Sequence, residues 1–302
     1  MQQAETITPV ALPVDPAVLV AEVDKLRPTA RVLEQAGFEV YLTPSSAIPE
    51  IMQEIGRLRE VTFRSVGEGT GKERDLDTYD TYYLQLFIWD VNARQLVGGY
   101  RIGPGREIFA QDGVAGFYIS SLFHIAPPFG EVLRQSVELG RSFVIESYQK
   151  KRLPLFLLWK GILFYLLQHP HYRYLIGPVS VSKYYSDISK SLIIGFVRKH
   201  YFDEHHAVHI TPRKPFAFPV DLELIEERLA ALPDLEALEN MVETIEPNHF
   251  KLPVLLKQYI RQNARFIGFN LDPNFNDALD GLMLLDLMHV RQETIENLKK
   301  SW

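Results

Sequence analysis

The stretch Ser136-Val137-Glu138-Leu139-Gly140-Arg141-Ser142-Phe143-Val144 constrains the fold more than any other, because an acid and a base sit inside an otherwise apolar run that reads as a strand. Strand side chains alternate between two faces, so Glu138 is expected to share a face with Gly140 and Ser142 while Arg141 points to the other. A charge embedded there is costly unless it is paired or used. Two upstream segments offer partners. Asp75, Asp77 and Asp80 precede the strand-like residues 83–89, and Gly98-Gly99-Tyr100-Arg101-Ile102 ends the next strand with a base. Both signs of charge are expected to meet at one site.

The chain has 302 residues, 46% of them hydrophobic, which is enough to bury a substantial core in one large domain or two small ones. A formal net charge of -6 gives no support to a broad nucleic-acid footprint, which needs clustered Lys and Arg, and no nucleic-acid partner is expected. The absence of cysteine excludes disulfides, thiolate nucleophiles and Cys-ligated zinc, and fits a reducing, cytoplasmic setting. Chemistry must then come from carboxylates, His, hydroxyls or backbone. His205-His206-x-x-His209 lacks the H-E-x-x-H spacing and reads as a surface turn, so no metal is expected. Residues 1–13 lack a basic region followed by an apolar core, so no secretory signal is expected there. The apolar run 153–167 is too short for a bilayer span, contains Lys160 and reads as a buried helix.

The punctuation of the chain predicts an α+β order with a mixed central sheet flanked by helices. Pro9, Pro13 and Pro16 suggest an extended lead-in, followed by a short helix within 18–33. Ser46 and Pro49 open a helix whose apolar positions Ile51, Ile55 and Leu58 recur at helical spacing as far as Arg64, with Arg59 and Phe63 on one side. Residues 83–89 and 95–102 read as a hairpin, 116–123 as a further strand, 154–167 as a helix, 174–179 as a strand and 186–200 as a helix. The segment 213–250 is Pro-rich and then acidic and helical through 222–246, and the chain closes with a helix over 253–263 and strands over 266–270 and 281–287. The expected organisation is an extension over 1–45 and a domain over 46–302 that carries a helical insertion at about 213–250.

Several short motifs recur in a telling order: Arg59-x-x-x-Phe63, Asp75-x-Asp77-x-x-Asp80, Gly98-Gly99-Tyr100-Arg101, Glu138-x-x-Arg141, Leu157-Leu158-Trp159-Lys160-Gly161, Gly177-Pro178-Val179-Ser180, Leu252-Pro253-x-Leu255-Leu256-x-x-Tyr259 and Asp272-Pro273-x-Phe275-Asn276. With these motifs the chain resembles the GNAT-like N-acyltransferases that make lyso-ornithine and lyso-glycine lipids, a group also called hemolysin-like, and more distantly the acyl-homoserine-lactone synthases. The resemblance spans about residues 57–287. Two departures stand out: Phe63 is followed by Arg64-Ser65-Val66-Gly67-Glu68-Gly69 without the tryptophan of the lactone synthases, and Gln149-Lys150-Lys151-Arg152 replaces the Gly-rich pyrophosphate loop of coenzyme A users.

The resemblance implies transfer of a fatty acyl group, in some members 3-hydroxylated, to the α-amine of a small amino acid, glycine first and ornithine second. It places Glu138 as general base for the attacking amine, with Arg141, Asp77 and Asp80 in the catalytic set and Arg59, Phe63, Asp75 and Arg101 around the acceptor. No resident cofactor is expected. The co-substrate would be the acyl-phosphopantetheine of acyl carrier protein, or acyl-CoA, and Gln149, Lys150, Lys151 and Arg152 would meet the acidic carrier. The lyso-aminolipid product suggests peripheral contact with the inner membrane. No histidine is followed five positions on by Asp, so a second, O-acylating step would need a separate O-acyltransferase; no G-x-S-x-G elbow is present either. The alternatives are a lactone-type synthase and a non-catalytic membrane-active protein.

Overall fold

A computed structural model describes residues 8–218, 222–290 and 296. In chain order the elements are α1 (Pro16–Ala30), β1 (Arg31–Gln35), β2 (Phe38–Pro44), α2 (Pro49–Ser65), β3 (Leu84–Asp90), β4 (Gln95–Pro104), α3 (Gly105–Asp112), β5 (Phe123–Ile125), α4 (Gly130–Arg134), β6 (Ser136–Val144), α5 (Glu146–Gln149) and α6 (Arg152–Gln168). There follow β7 (Tyr174–Val181), α7 (Asp187–Tyr201), α8 (Glu204–Ala207), β8 (Ile210–Pro212), α9 (Leu222–Ala230), α10 (Leu235–Ile245), α11 (Val254–Arg261), β9 (Arg265–Asp272) and β10 (Ala278–Asp286). The class is α+β, as the order of predicted elements implies. Two compact units divide the chain, one holding residues 8–104 with Val137–Tyr172, the other Gly105–Ser136 with 173–290.

The first unit is built on antiparallel pairings of β1 with β2, β2 with β3, β3 with β4 and β4 with β6. Helices cover both faces, and strand alternation sorts them. Arg59 of α2 bonds Gln85, whereas Leu86 packs where α6 presents Gly161, so α2 and α6 lie on opposite faces. The N-terminus of α2 has no side-chain cap of its own. Glu22 of α1 supplies one, accepting from the backbone N–H groups of Glu50 and Ile51 at 3.3 and 2.7 Å. The first helix, expected within 18–33, ends at Ala30, and residues 31–33 are corrected from helix to strand. Together with residues 34–44, which carry no element in the sequence reading, they form β1 and β2; the signal is Ala36-Gly37, both at positive φ, before the alternating Phe38, Val40 and Leu42.

The second unit pairs β7, β10 and β9 in antiparallel register, with β5 and β8 as a separate two-stranded piece. The strand expected over 116–123 is corrected here. Residues Gly113–Gly116 and Tyr118–Ser121 are 3-10 turns, and β5 begins only at Phe123. The apolar side chains are buried as the periodicity suggests, but Ser121 donates to the Tyr118 carbonyl, a local bond that competes with a strand ladder. The helical stretch 222–246 is two helices, broken at Pro233, with Asp234 capping α10. Among the described residues no helix is long and apolar enough to cross a membrane.

Candidate active site

The charged motifs converge on the α2 face of the first unit. Asp77 and Asp80 bracket a 3-10 turn over Thr78–Thr81 and cap it reciprocally: Asp77 Oδ1 accepts from the N–H groups of Tyr79 and Asp80, and Asp80 Oδ2 accepts from the N–H of Asp77. Asp75 is tied to α2 through its backbone N–H, which donates to the Gly56 carbonyl at 2.9 Å. The preceding loop is organised by Glu60, fully buried on α2, which accepts from Thr70 N–H, Thr70 Oγ1, Gly71 N–H and Arg64.

Three guanidiniums meet those three carboxylates. Arg59, 1% exposed, donates Nη1 to Asp80 at 2.8 Å and Nη2 to Gln85 at 2.7 Å. Arg101 Nη1 lies 2.5 Å from Asp77 and 3.4 Å from Asp80. Arg141 Nε lies 2.9 Å from Asp75, and its Nη2 3.4 Å from Asp77. Burial opposes the charge of Asp80, but the adjacent Arg59 and Arg101 outweigh it and hold its carboxyl well below the usual range. Burial works against the Arg101 cation too, and Asp80 and Asp77 keep it charged.

Glu138 pairs across the ladder with Gly103 and is 1% exposed. Its carboxylate accepts a hydrogen bond from the Tyr83 hydroxyl. Gly103 makes that possible: a Cβ there would stand 2.3 Å from the Tyr83 ring. The same ring lies 5.3 Å beneath the Arg101 guanidinium, which joins Glu138 to the network through one tyrosine.

Arg141 departs from the expected alternation. A register shift between Gly99 and Arg101 bulges the β4–β6 ladder, and Arg141 sits at φ 51°, so its side chain swings onto the face that carries Glu138 and Arg101. Of the sequence-derived site residues, Arg59, Asp75, Asp77, Asp80, Arg101, Glu138 and Arg141 are thus brought together. Phe63 is buried on α2 near them. Gln149, Lys150, Lys151 and Arg152 are not part of the cluster. They follow the far end of β6, exposed from the last residue of α5 to the first of α6, with Gln149 bonded to the Val144 carbonyl and Lys151 over the Tyr148 ring. Tyr83, Gln85 and Glu60 were missed by sequence reasoning. Only Glu60, an acid inside the apolar face of α2, carries a signal of the kind that marks Glu138.

The cluster holds three guanidiniums and, with Glu138, four carboxylates, so its surplus is negative. Such a site favours an ammonium, and a buried carboxylate beside it can take a proton. Among the described residues no group of His, Asp and Glu is arranged to hold a metal.

Residues 58–159, which contain this cluster, match the acetyltransferase (GNAT) domain family. The chain is 30% identical to a glycine N(alpha)-acyltransferase of Bacteroides thetaiotaomicron over 93% of this chain and 86% of the relative, and 29% identical to one of Phocaeicola vulgatus over 93% and 89%. Solved structures of acyl-homoserine lactone synthases align at low similarity: BjaI with 13% identity and a TM-score of 0.41 over 88% of this chain and 89% of that chain, and LasI with 14% identity and a TM-score of 0.39 over 82% and 90%. The chain is an acyltransferase and belongs to the GNAT family that includes these glycine N(alpha)-acyltransferases.

Proposed function

We propose that the protein transfers a fatty acyl group from the thioester of an acyl carrier protein to the α-amine of a small amino acid, glycine before ornithine. The observation that carries this reading is the buried, net-negative cluster around Glu138 in a chain whose relatives are named for acylation of glycine. The acceptor enters as an ammonium and loses a proton to Glu138, directly or through water. The free amine attacks the thioester carbonyl carbon, a C–N bond forms, the C–S bond breaks, and the departing thiolate takes up a proton. Arg59 and Arg101 hold Asp80 ionised, so that the acceptor's positive charge meets fixed negative charge there rather than a protonated carboxyl. The carrier is favoured over coenzyme A by the exposed cations Lys150, Lys151 and Arg152, which suit an acidic protein. A lyso-aminolipid product would partition to a membrane surface, and its conversion to a diacylated lipid would fall to a separate enzyme.

The test is direct. Purified protein is given acyl and 3-hydroxyacyl thioesters of carrier protein or of coenzyme A, with glycine, ornithine or S-adenosylmethionine, and products are read by mass spectrometry. N-acylglycine from the carrier thioester is expected. Release of an acyl lactone, or no N-acylated amino acid from any pairing, would overturn the reading.

A further inference from the structure

Glu138 is sealed, yet its strand opens two residues later. Along β6 the residues from Ser136 to Leu139 are buried, whereas Gly140, Arg141 and Ser142 are reached by solvent. Gly140 shares the face of Glu138, roughly 6.6 Å further along the strand, and stands opposite Arg101 in the ladder.

The reason for a glycine at this position is neither packing nor backbone conformation. A Cβ added at Gly98, Gly99 or Gly103 on the neighbouring strand would lie 2.4, 2.7 or 2.3 Å from another atom, so those glycines are demanded by close approach. A Cβ added at Gly140 would meet, beyond its own chain neighbours and among the described residues, only Arg101 Nε within 4 Å, at 4.0 Å. Nor is Gly140 among the positive-φ residues, so an L side chain suits its backbone. Glycine in a strand interior weakens the strand and leaves nothing to pack, so its presence here points to something that must come close to the backbone. The open space lies on the charged face, beside Arg101 and two residues along the strand from the buried Glu138.

We propose that Gly140 is the floor of the acceptor subsite and a determinant of acceptor specificity: the missing side chain leaves room for the amine-bearing carbon of a small α-amino acid, its ammonium directed along the strand toward Glu138. This rests on the acyl-transfer reading given above. The subsite admits the acceptor by absence of bulk, so the smallest side chains at position 140 act on acceptor binding first.

The test uses the full-length protein. Gly140→Ala is expected to keep or raise Tm, since the methyl group has space, to leave KM for the acyl thioester unchanged, and to lower kcat/KM for glycine at least tenfold, chiefly through KM. Gly140→Cys puts one thiol in a chain that has none, and that thiol is expected to react with iodoacetamide in the folded protein at a rate near that of a free thiol. If wild-type protein acylates glycine while Gly140→Ala retains kcat/KM within twofold, the subsite assignment is wrong and the acyl-transfer reading stands. A lowered Tm for Gly140→Ala, or an unreactive thiol in Gly140→Cys, would show the space to be filled and would also overturn it. If wild-type protein makes no N-acyl amino acid, it is the parent reading that fails.

Discussion

Arg59 is where stability and chemistry are hardest to separate, because its buried guanidinium answers both Asp80 and Gln85. Removing one partner of a buried pair leaves the other charge stranded, at a cost of about 3–5 kcal/mol. Arg59→Ala is therefore expected to lower the urea midpoint sharply, and the double variant Arg59→Met/Asp80→Leu to recover much of the loss without recovering activity. Equal stability of the single and double variants would show that no stranded charge is involved. Glu138 differs, since Glu138→Gln keeps the shape and still accepts from Tyr83. It should fold normally and lose roughly 10²–10⁴ in single-turnover rate if Glu138 is the base. A loss under tenfold would remove it from that role.

At the scale of elements, the site is a sheet face whose loop is held from α2. Glu60→Gln takes the charge from a carboxylate that gathers Thr70, Gly71 and Arg64, and should raise hydrogen exchange across residues 67–77 and lower activity; unchanged exchange would show the loop to be held by other contacts. At α6, charge reversal of Lys150, Lys151 and Arg152 to Glu should raise KM for a carrier-protein thioester and abolish its salt dependence while sparing a small pantetheine thioester. Equal effects on both donors would exclude a docking role. Glu138 and Arg141 are legible in the sequence because an acid and a base are conspicuous in an apolar run, whereas Asp75, Asp77 and Asp80 stand out as an acidic run ahead of a strand and Arg59 through the family motifs. The hairpin over 83–102 and the helix ending near Arg64 are legible through periodicity and through Pro49. The side of the sheet taken by Arg141 is not legible, because alternation assumes an unbroken ladder and a bulge is decided by pairing with β4. Tyr83 is equally silent: in sequence it is one more aromatic before a strand, and its contact with Glu138 exists only once Gly103 has cleared the space.

For the molecule as a whole, acid should act on the two units in different pH ranges. In the unit with the charge cluster, Glu39 and Asp80 are depressed carboxyls: burial raises each, and Arg27, Tyr41 and Arg31 for the first, Arg59 and Arg101 for the second, more than compensate. A carboxyl whose folded-state pKa lies below its unfolded value contributes stability that is complete above about pH 4 and lost as pH falls through the folded value. The other unit has such carboxyls too, Asp203 beside His206 and Asp286 beside Arg173, where the same opposition of burial and partner holds. It also contains His200, whose burial, with Lys199 nearby, depresses its protonation. That histidine binds its proton less readily folded than unfolded, so the stability tied to it is whole above about pH 6.5 and declines below. Between pH 7.5 and 5.5 the second unit should therefore lose hydrogen-exchange protection while β2, β3 and β4 keep theirs. Below pH 4 both should weaken together. His200→Gln should abolish the first change and leave the second; loss of protection in the first unit at pH 5.5, or persistence of the early change in that variant, would refute the assignment to His200.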